Sequence, residues 1–217
     1  MNLFIKICGI RECDTARICA DAGADAVGIV LAHGSPRTLS FEQACAVHAV
    51  LPPTVACIAV LRDSPMSDSQ RAQWRGGVQF HGSETQDDIA QVVAPRPRAK
   101  QPFIIKALTG STSEILQWNS DPNIDAILVD GTTPGSGTAL NQEWLYLLAS
   151  LRPHLTKPLI LAGGLTPESV ERAIEVVRPA GVDVSSGVES ERGIKDPARI
   201  RAFIAAARAA HRYSTTD

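Results

Sequence analysis

Short apolar strands alternate with helix-like segments along this chain, and this alternation constrains its fold more than any other feature. The starts of the apolar, β-branched runs are about 22 to 33 residues apart, the spacing expected of repeated βα units. The eight runs cover residues 3–8, 26–31, 55–61, 77–80, 102–108, 125–130, 158–162 and 181–184. Segments between them, such as 12–22, 41–51, 167–177 and 197–208, have helix start and stop signals.

Strands that are apolar on both faces predict a parallel sheet covered by helices. Two architectures satisfy this pattern, a closed eight-stranded barrel and an open doubly wound sheet. A dinucleotide-binding open sheet would carry a GxGxxG turn after its first strand, whereas residues 8–11 read Cys-Gly-Ile-Arg. The sequence therefore predicts an α/β fold, a (β/α)8 TIM barrel, as a single domain over residues 1–210 with a short tail at 211–217. The third unit is so short that its helix is expected to be stunted or irregular.

Composition and charge exclude several classes of protein. The chain has 217 residues and a formal net charge of −2, with no block of basic residues, so nucleic acid is not an expected partner. No apolar run is long enough to cross a bilayer, and the first residues lack the pattern of a secretory signal, so we expect no membrane partner and a cytoplasmic location. The five cysteines match no zinc-binding spacing, so no metal is expected.

Two glycine- and serine-rich stretches follow the seventh and eighth strands. In a (β/α)8 barrel the active site lies at the carboxyl ends of the strands, and the last two loops commonly bind phosphate. Gly163 and Gly164 follow strand seven, and Ser185, Ser186 and Gly187 follow strand eight. Gly163 and Gly164 alone would fit a tight turn into the next helix equally well. Because both loops occur at the right strands, the sequence predicts a phosphate site. A third glycine-rich stretch, 134–138, suggests a flap over the ligand.

The first strand carries a lysine and a cysteine on the same face. Period-two alternation places Lys6 and Cys8 together, opposite the purely apolar face. A buried lysine is costly without a partner. In a closed barrel the eighth strand pairs with the first, and alternation turns Asp183 inward. We therefore expect Lys6 and Asp183 to form a buried pair beneath Cys8.

The chain resembles the phosphoribosylanthranilate isomerases of tryptophan biosynthesis nearly from end to end. The resemblance is carried, in order, by KICGI at 6–10, GADAVGIV and SPR within 23–37, VQFHG at 78–82, ILVDG and PGSGT within 127–138, and LAGGLTPESV and GVDVSSGVESERGIKD within 161–196. It implies an Amadori rearrangement of N-(5-phosphoribosyl)anthranilate, a small phosphosugar, to an aminodeoxyribulose phosphate. It implies neither a metal nor an organic cofactor, and a monomer or a homodimer.

The resemblance also implies roles for individual residues. Cys8 is the general base and Asp130 the general acid. Arg37 recognises the anthranilate carboxylate, a task that suits a forked guanidinium. For His81 the sequence leaves two alternatives open: a structural histidine, as a lone one commonly is, or a residue that lines the mouth of the barrel or hydrogen-bonds the substrate. The reaction requires a protonated acid and a deprotonated base, so a nearby cation, with Lys6 as the candidate, is expected to favour the thiolate of Cys8.

Two other functions share part of this pattern. Other phosphosugar barrels use similar phosphate loops, but the epimerases bring metal-binding His/Asp sets and indole-glycerol-phosphate synthase an essential lysine. A barrel that binds a phosphate ligand without chemistry is the non-enzymatic alternative. The presence of both Cys8 and Asp130 favours the isomerase.

Overall fold

The protein is a closed (β/α)8 barrel. A computed structural model describes residues 2–93, 102–109, 111–131 and 142–214. Eight strands follow one another around the barrel, each parallel to its neighbours, and the eighth pairs with the first. They are β1 (Phe4–Cys8), β2 (Ala26–Val30), β3 (Ala56–Leu61), β4 (Gly77–Phe80), β5 (Ile104–Leu108), β6 (Ala126–Asp130), β7 (Leu159–Ala162) and β8 (Gly181–Val184). The predicted barrel is confirmed, and the open sheet is excluded.

Helices cover the outside of the barrel. They are α1 (Cys13–Asp21), α2 (Phe41–Ala49), α3 (Asp68–Gln73), α4 (Gln86–Val93), α5 (Thr112–Asn119), α6 (Gln142–Leu151), α7 (Val170–Val177) and α8 (Pro197–Ser214). Because α8 includes residues 211–214, the division into a barrel and a tail at residue 210 stays a prediction. None of the helices in the described part of the chain combines the length and the apolar character needed to span a bilayer.

Strand alternation sorts the apolar side chains into two layers. Side chains that point outward, such as Ile5 and Ile7 of β1, join the large core between the strands and the helices. Side chains that point inward form a separate cluster of Ala26, Ile58, Ile105, Ala107, Ala126, Leu128, Ile160 and Ala162. Four of these eight are alanines, and their small side chains leave room inside the barrel for a few larger groups. Lys6 and Cys8 of β1 point into this interior, as predicted.

The third unit is stunted, as expected. Helix α3 has six residues and a Ser67–Gln70 capping box, and none of its side chains is buried. The residue that follows it, Trp74, is 4% exposed and donates its indole N–H to the Gly77 carbonyl at 2.9 Å. Its ring also contacts His48 of α2, with centroids 5.1 Å apart. A single aromatic side chain therefore covers the barrel wall where the short helix does not.

Closure of the barrel is reinforced at its amino-terminal end by Arg208 of α8. Its guanidinium donates to the Leu3 carbonyl, to the Gly23 carbonyl at 3.0 Å and to Asp25 Oδ2 at 2.7 Å. The same Asp25 oxygen accepts the Ile5 N–H at 2.7 Å. One side chain thus connects the last helix to the segments that begin β1 and β2.

Replacing Arg208 by methionine is expected to lower the free energy of unfolding. The variant removes the guanidinium donor of two backbone carbonyls and of the Asp25 carboxylate, which keeps the Ile5 N–H, a loss of about 1 to 3 kcal/mol. Urea denaturation measures the change. Arg201→Met is the matched control, because Arg201 is exposed on the same helix and donates to the Pro197 carbonyl of its own turn at 3.4 Å. An equal loss in the two variants would contradict the assignment.

Candidate active site

A cavity of about 920 Å³ opens at the carboxyl ends of the strands. Its wall includes eight of the nine predicted site residues: Cys8, Arg37, His81, Asp130, Gly163, Gly164, Ser185 and Ser186. The ninth, Gly187, packs behind the wall, where a Cβ would overlap the Leu165 carbonyl. A second cavity, of about 630 Å³, lies between the loops after β3 and β4 and contains none of the nine. The structure therefore gathers the predicted residues at one place.

A buried ion pair lies directly beneath Cys8. Lys6 is fully buried, and its ammonium donates to Asp183 Oδ1 at 3.0 Å. The two residues are register partners on β1 and β8. The pair predicted from strand alternation is confirmed.

Gly28 of β2 makes room for Cys8 and Lys6. A Cβ at this inward-facing position would lie 2.7 Å from Cys8 Sγ and 3.0 Å from Lys6 Nζ. Cys8 and Gly28 are neighbours in the β1–β2 register, so the thiol lies against the bare backbone of β2. Sequence reasoning missed this role, although an inward glycine in an otherwise apolar strand indicates a close approach.

Burial is the largest influence on the pKa of Cys8. The thiol is 8% exposed, and desolvation raises its pKa, whereas the nearby ammonium groups of Lys6 and Lys195 lower it. The Asp183 carboxylate raises this pKa further. Lys6 lowers the pKa of Cys8, as expected of a nearby cation that favours the thiolate, but burial outweighs this effect and leaves the net pKa raised.

Asp130 ends β6 and lies against Gly163. A Cβ on Gly163 would overlap Asp130 Oδ1, and Gly163 has a φ of +84°, a conformation that favours glycine. The Gly131 N–H donates to the Ala162 carbonyl at 3.2 Å, which fixes the backbone on either side. Gly163 therefore gives space to the Asp130 carboxylate, in addition to lying in the predicted phosphate loop.

The loops after β7 and β8 touch each other. Gly163 and Gly164 both have positive φ, +84° and +64°. A 3₁₀ turn, Ser186–Val188, follows Ser185 and brings Gly187 against the Leu165 carbonyl. The Ser185 hydroxyl donates to the Cys8 carbonyl at 3.1 Å, which ties this loop to the end of β1. These contacts place the two predicted phosphate loops at one edge of the cavity.

Arg37 lines the cavity but is already paired. Its Nε and Nη2 donate to the two carboxylate oxygens of Glu189, at 2.6 and 2.7 Å. Lys195 binds the same carboxylate at 2.8 Å. Glu189 and Lys195 were not predicted as site residues, although both lie in the motif at 181–196. No local pattern distinguishes them, because the contact with Arg37 spans 152 positions of the sequence.

His81 and Gln79 present polar atoms on the opposite part of the wall. Gln79, an inward residue of β4, is 1% exposed, and its Nε2 lies 3.4 Å from His81 Nδ1. Within the residues that the structure describes, Gln79 Oε1 and His81 Nε2 are buried without a hydrogen-bond partner. Burial lowers the His81 pKa and so favours the neutral imidazole. Gln79 was missed, although a buried amide on an inward strand position indicates a binding role. The predicted flap at 134–138 lies outside the described residues.

Replacing Lys6 by methionine is expected to raise the pKa of Cys8 further, because a neighbouring cation is lost and Asp183 is left unpaired. The midpoint of the pH dependence of Cys8 alkylation by iodoacetamide, followed on the Cys8 peptide by mass spectrometry, should shift upward. Lys106→Met is the matched control, since Lys106 is 2% exposed and paired with Glu84 at 2.9 Å on the outer side of β5. An unchanged midpoint would show that Lys6 has no electrostatic effect on Cys8.

Known proteins share both the sequence and the fold. A sequence model of the family described as N-(5'phosphoribosyl)anthranilate (PRA) isomerase matches residues 5–206. The N-(5'-phosphoribosyl)anthranilate isomerase of Pseudomonas fluorescens is 40% identical over 213 residues, covering 94% of this chain and 97% of the relative. The isomerase of Desulforudis audaxviator is 39% identical, covering 95% and 98%.

Solved structures of the same family superpose along nearly the whole chain. Phosphoribosyl anthranilate isomerase from Thermotoga maritima has a TM-score of 0.82 and 34% identity, covering 95% of this chain and 99% of that one. A complex of a phosphoribosyl anthranilate isomerase with reduced 1-(o-carboxyphenylamino)-1-deoxyribulose 5-phosphate has a TM-score of 0.79 and 32% identity, with the same coverage. The barrel, the one cavity that gathers the predicted site residues, and these matches lead to one conclusion: the chain belongs to the N-(5'-phosphoribosyl)anthranilate isomerase family.

Proposed function

We propose that this isomerase rearranges N-(5'-phosphoribosyl)anthranilate by acid–base catalysis in which Cys8 is the base and Asp130 the acid. The observation that carries this assignment is that the two side chains enter one cavity from β1 and β6, which are not adjacent. Each lies against a glycine, Gly28 or Gly163, that leaves it room. In this proposal the ribose of the substrate lies between the two groups, and each group acts on a different atom of the sugar.

Asp130 acts first. Its carboxylic acid donates a proton to the ring oxygen of the ribose, the C1′–O bond breaks, and the nitrogen lone pair forms a protonated Schiff base at C1′. Asp130 is left as a carboxylate. Contact with the Gly163 backbone limits its movement, which keeps the donor aligned with the ring oxygen.

Cys8, whose thiol releases its proton to solvent once the Schiff base has formed, then removes the proton from C2′ as a thiolate. The Schiff base makes this proton acidic, and its positive charge also favours the thiolate that must remove it. Together with the ammonium groups of Lys6 and Lys195, which both lower the Cys8 pKa, this charge offsets the cost of burial. The C2′ electron pair moves to form an enolamine, and the nitrogen becomes neutral.

Conversion of the enolamine to the ketone completes the reaction. C1′ gains a proton and the 2′-hydroxyl loses one, which gives the aminodeoxyribulose phosphate. Cys8 gives up the proton that it took from C2′, and Asp130 regains one. A proton from solvent restores the Cys8 thiol, so both groups end in their starting forms. No electron acceptor and no external group is required, because the reaction is an internal redistribution of hydrogen.

Three parts of the cavity wall match the three parts of the substrate. Backbone amides around Gly164 and Ser186 are placed to bind the phosphate, because adjacent glycines let the chain approach an anion closely. Gln79 and His81 offer the buried polar atoms that pair with sugar hydroxyls. Arg37 binds the carboxylate of the aromatic ring. The ligand named for the neighbouring solved complex contains these same three groups.

The two other functions fit the site less well. A synthase of the indole-glycerol-phosphate type needs an accessible catalytic lysine, but Lys6 is held by Asp183 and Lys106 points away from the barrel interior. A barrel that only binds phosphate has no use for a cysteine and an aspartate in one cavity. The alternatives differ in turnover of fluorescent phosphoribosylanthranilate, which only the isomerase consumes.

The proposed function also has consequences for the location, the partners and the oligomeric state of the enzyme. We infer a cytoplasmic location and a small phosphosugar substrate, with neither nucleic acid nor a membrane as a partner. The chain acts as a monomer or a homodimer. A solved relative from Thermotoga maritima is described as dimeric, with monomers generated from it.

Replacing either catalytic group should abolish turnover while leaving binding largely intact. Cys8→Ala and Asp130→Asn are each expected to lower kcat by about 10²-fold or more, because each removes one proton transfer. Loss of phosphoribosylanthranilate fluorescence measures turnover, and binding of the reduced product measures affinity. Unchanged turnover in either variant would remove that residue from the mechanism.

Adding a methyl group at Gly28 should disturb the base without touching the substrate. Gly28→Ala places a Cβ 2.7 Å from Cys8 Sγ, so the thiol must move. We expect kcat to fall by about 10-fold or more with little change in KM, since a small misplacement of a reacting group is costly. Ala26→Gly, one layer deeper on the same strand, is the control and should change kcat by less than about 2-fold. If the two variants lowered kcat equally, the loss would come from a general disturbance of β2 and not from displacement of the Cys8 thiol.

A further inference from the structure

A small hairpin outside the barrel carries two buried charged side chains. The proposed mechanism gives neither of them a role in substrate binding. After β8 the chain forms an antiparallel pair, β9 (Glu189–Glu191) and β10 (Ile194–Lys195), in which Glu189 lies opposite Lys195. Their side chains are 5% and 3% exposed. Charged groups are rarely buried to this extent unless they are paired and have a task.

The Glu189 carboxylate is held by four donors. Its Oε1 accepts from Arg37 Nε at 2.6 Å and from Lys195 Nζ at 2.8 Å. Its Oε2 accepts from Arg37 Nη2 at 2.7 Å and from the Gly193 N–H at 3.1 Å. These bonds lower the pKa of Glu189 to about 2, so it is ionised throughout the working pH range. The carboxylate is therefore a fixed part of the wall.

We propose that Glu189, which Lys195 holds in place, is a positioning residue for recognition of the substrate carboxylate. Glu189 binds one edge of the Arg37 guanidinium, so that the other edge faces the cavity. This inference rests on the proposed role of Arg37 in binding the aromatic carboxylate. It adds the group that makes Arg37 a preformed receptor.

The geometry of the guanidinium supports this division of its two edges. Arg37 uses Nε and Nη2 for Glu189, and this pair forms one side of the planar fork. Among the residues that the structure describes, only Glu189 is hydrogen-bonded to the guanidinium, which leaves the end of the fork, with Nη1 and the second Nη2 hydrogen, as the parallel N–H pair that a carboxylate needs. The aliphatic stem lies across Gly9, where a Cβ would overlap Arg37 Cδ. The side chain is thus confined from below by Gly9 and from one side by Glu189.

The charge balance explains why Lys195 is part of the arrangement. Glu189 alone would neutralise Arg37 and weaken its attraction for an anion. Lys195 adds a second cation, so the three side chains together carry a formal charge of about +1. Lys195 also donates to the Ser185 carbonyl at 2.8 Å, which anchors the hairpin to the end of β8. The hairpin therefore supplies rigidity without removing the positive potential.

A different reading makes Glu189 a competitor that the substrate carboxylate must displace from Arg37. The two readings predict opposite effects of neutralising Glu189. If Glu189 competes, Glu189→Gln frees a cation and tightens binding of a carboxylate. If Glu189 positions Arg37, the same variant loosens the fork and weakens binding, although the local charge becomes more positive.

The test compares two competitive inhibitors, the reduced product and the same compound without the ring carboxylate. The ratio of their inhibition constants isolates the contribution of the carboxylate, which we expect to be about 10- to 100-fold in the unmodified enzyme. Glu189→Gln should reduce this ratio by about 10-fold and raise KM, with kcat changed by less than about 3-fold. A merely structural role would change both inhibitors alike and leave the ratio unchanged.

Two further variants complete the design. Glu189→Gln combined with Lys195→Gln keeps the formal charge of the three side chains, Arg37 included, at about +1, so a reduced ratio in this variant reports positioning rather than charge. If the single variant Glu189→Gln fails to fold because Lys195 is left unpaired, the double variant serves as the test in its place. Glu191→Gln is the matched control, an exposed residue of β9 that also borders the cavity, and should leave the ratio unchanged.

The outcomes separate the positioning role from the proposed function. If Arg37→Ala abolishes the ratio but both Glu189 variants retain it, the positioning role is overturned and the role of Arg37 stands. A tighter carboxylate-bearing inhibitor in Glu189→Gln would likewise overturn it in favour of competition. If Arg37→Ala leaves the ratio intact, both the role of Arg37 and the inference that depends on it are wrong.

Discussion

The buried ion pair between Lys6 and Asp183 is the interaction on which the rest of the site depends. It joins β1 to β8 at the seam where the barrel closes, and it lies one layer beneath Cys8. Desolvation of two charges cancels much of their attraction, so the pair need not add net stability. Its effect is on geometry, because either charge left alone inside the barrel would be far more costly. The register of β1 against β8, and with it the position of Cys8, is fixed by this requirement.

Glycines determine the shape of the site around each functional side chain. Gly28 faces the Cys8 thiol, Gly163 faces the Asp130 carboxylate, and Gly9 lies beneath the stem of Arg37. In each case a Cβ would overlap or crowd the functional group. Backbone held in a parallel barrel moves less than a packed side chain, so walls of bare backbone keep the three groups in place. The site is therefore positioned largely by the strands and their ends, and less by neighbouring rotamers.

Local pattern predicted the parts of this structure that depend on period-two alternation. The strands, their inward faces and the Lys6–Asp183 pair follow from that period together with closure of the barrel. The protonation of Cys8 did not follow, because it depends on how far burial outweighs two cations, and neither quantity can be read from sequence. Glu189 was missed for a related reason, since its significance comes from Arg37, 152 positions away. Long-range contacts of surface loops leave no periodic signal.

The two cations nearest Cys8 are each tied to a carboxylate, and this arrangement has a chemical consequence. Lys6 is paired with Asp183 and Lys195 with Glu189, so their influence on the thiol is partly cancelled and burial prevails. A buried thiol is a poor nucleophile and a poor target for oxidation. In the proposed mechanism the missing positive charge arrives with the substrate, when ring opening creates the protonated Schiff base. The base then becomes a thiolate only where there is a C2′ proton to remove, which suits an enzyme whose catalytic group is a cysteine.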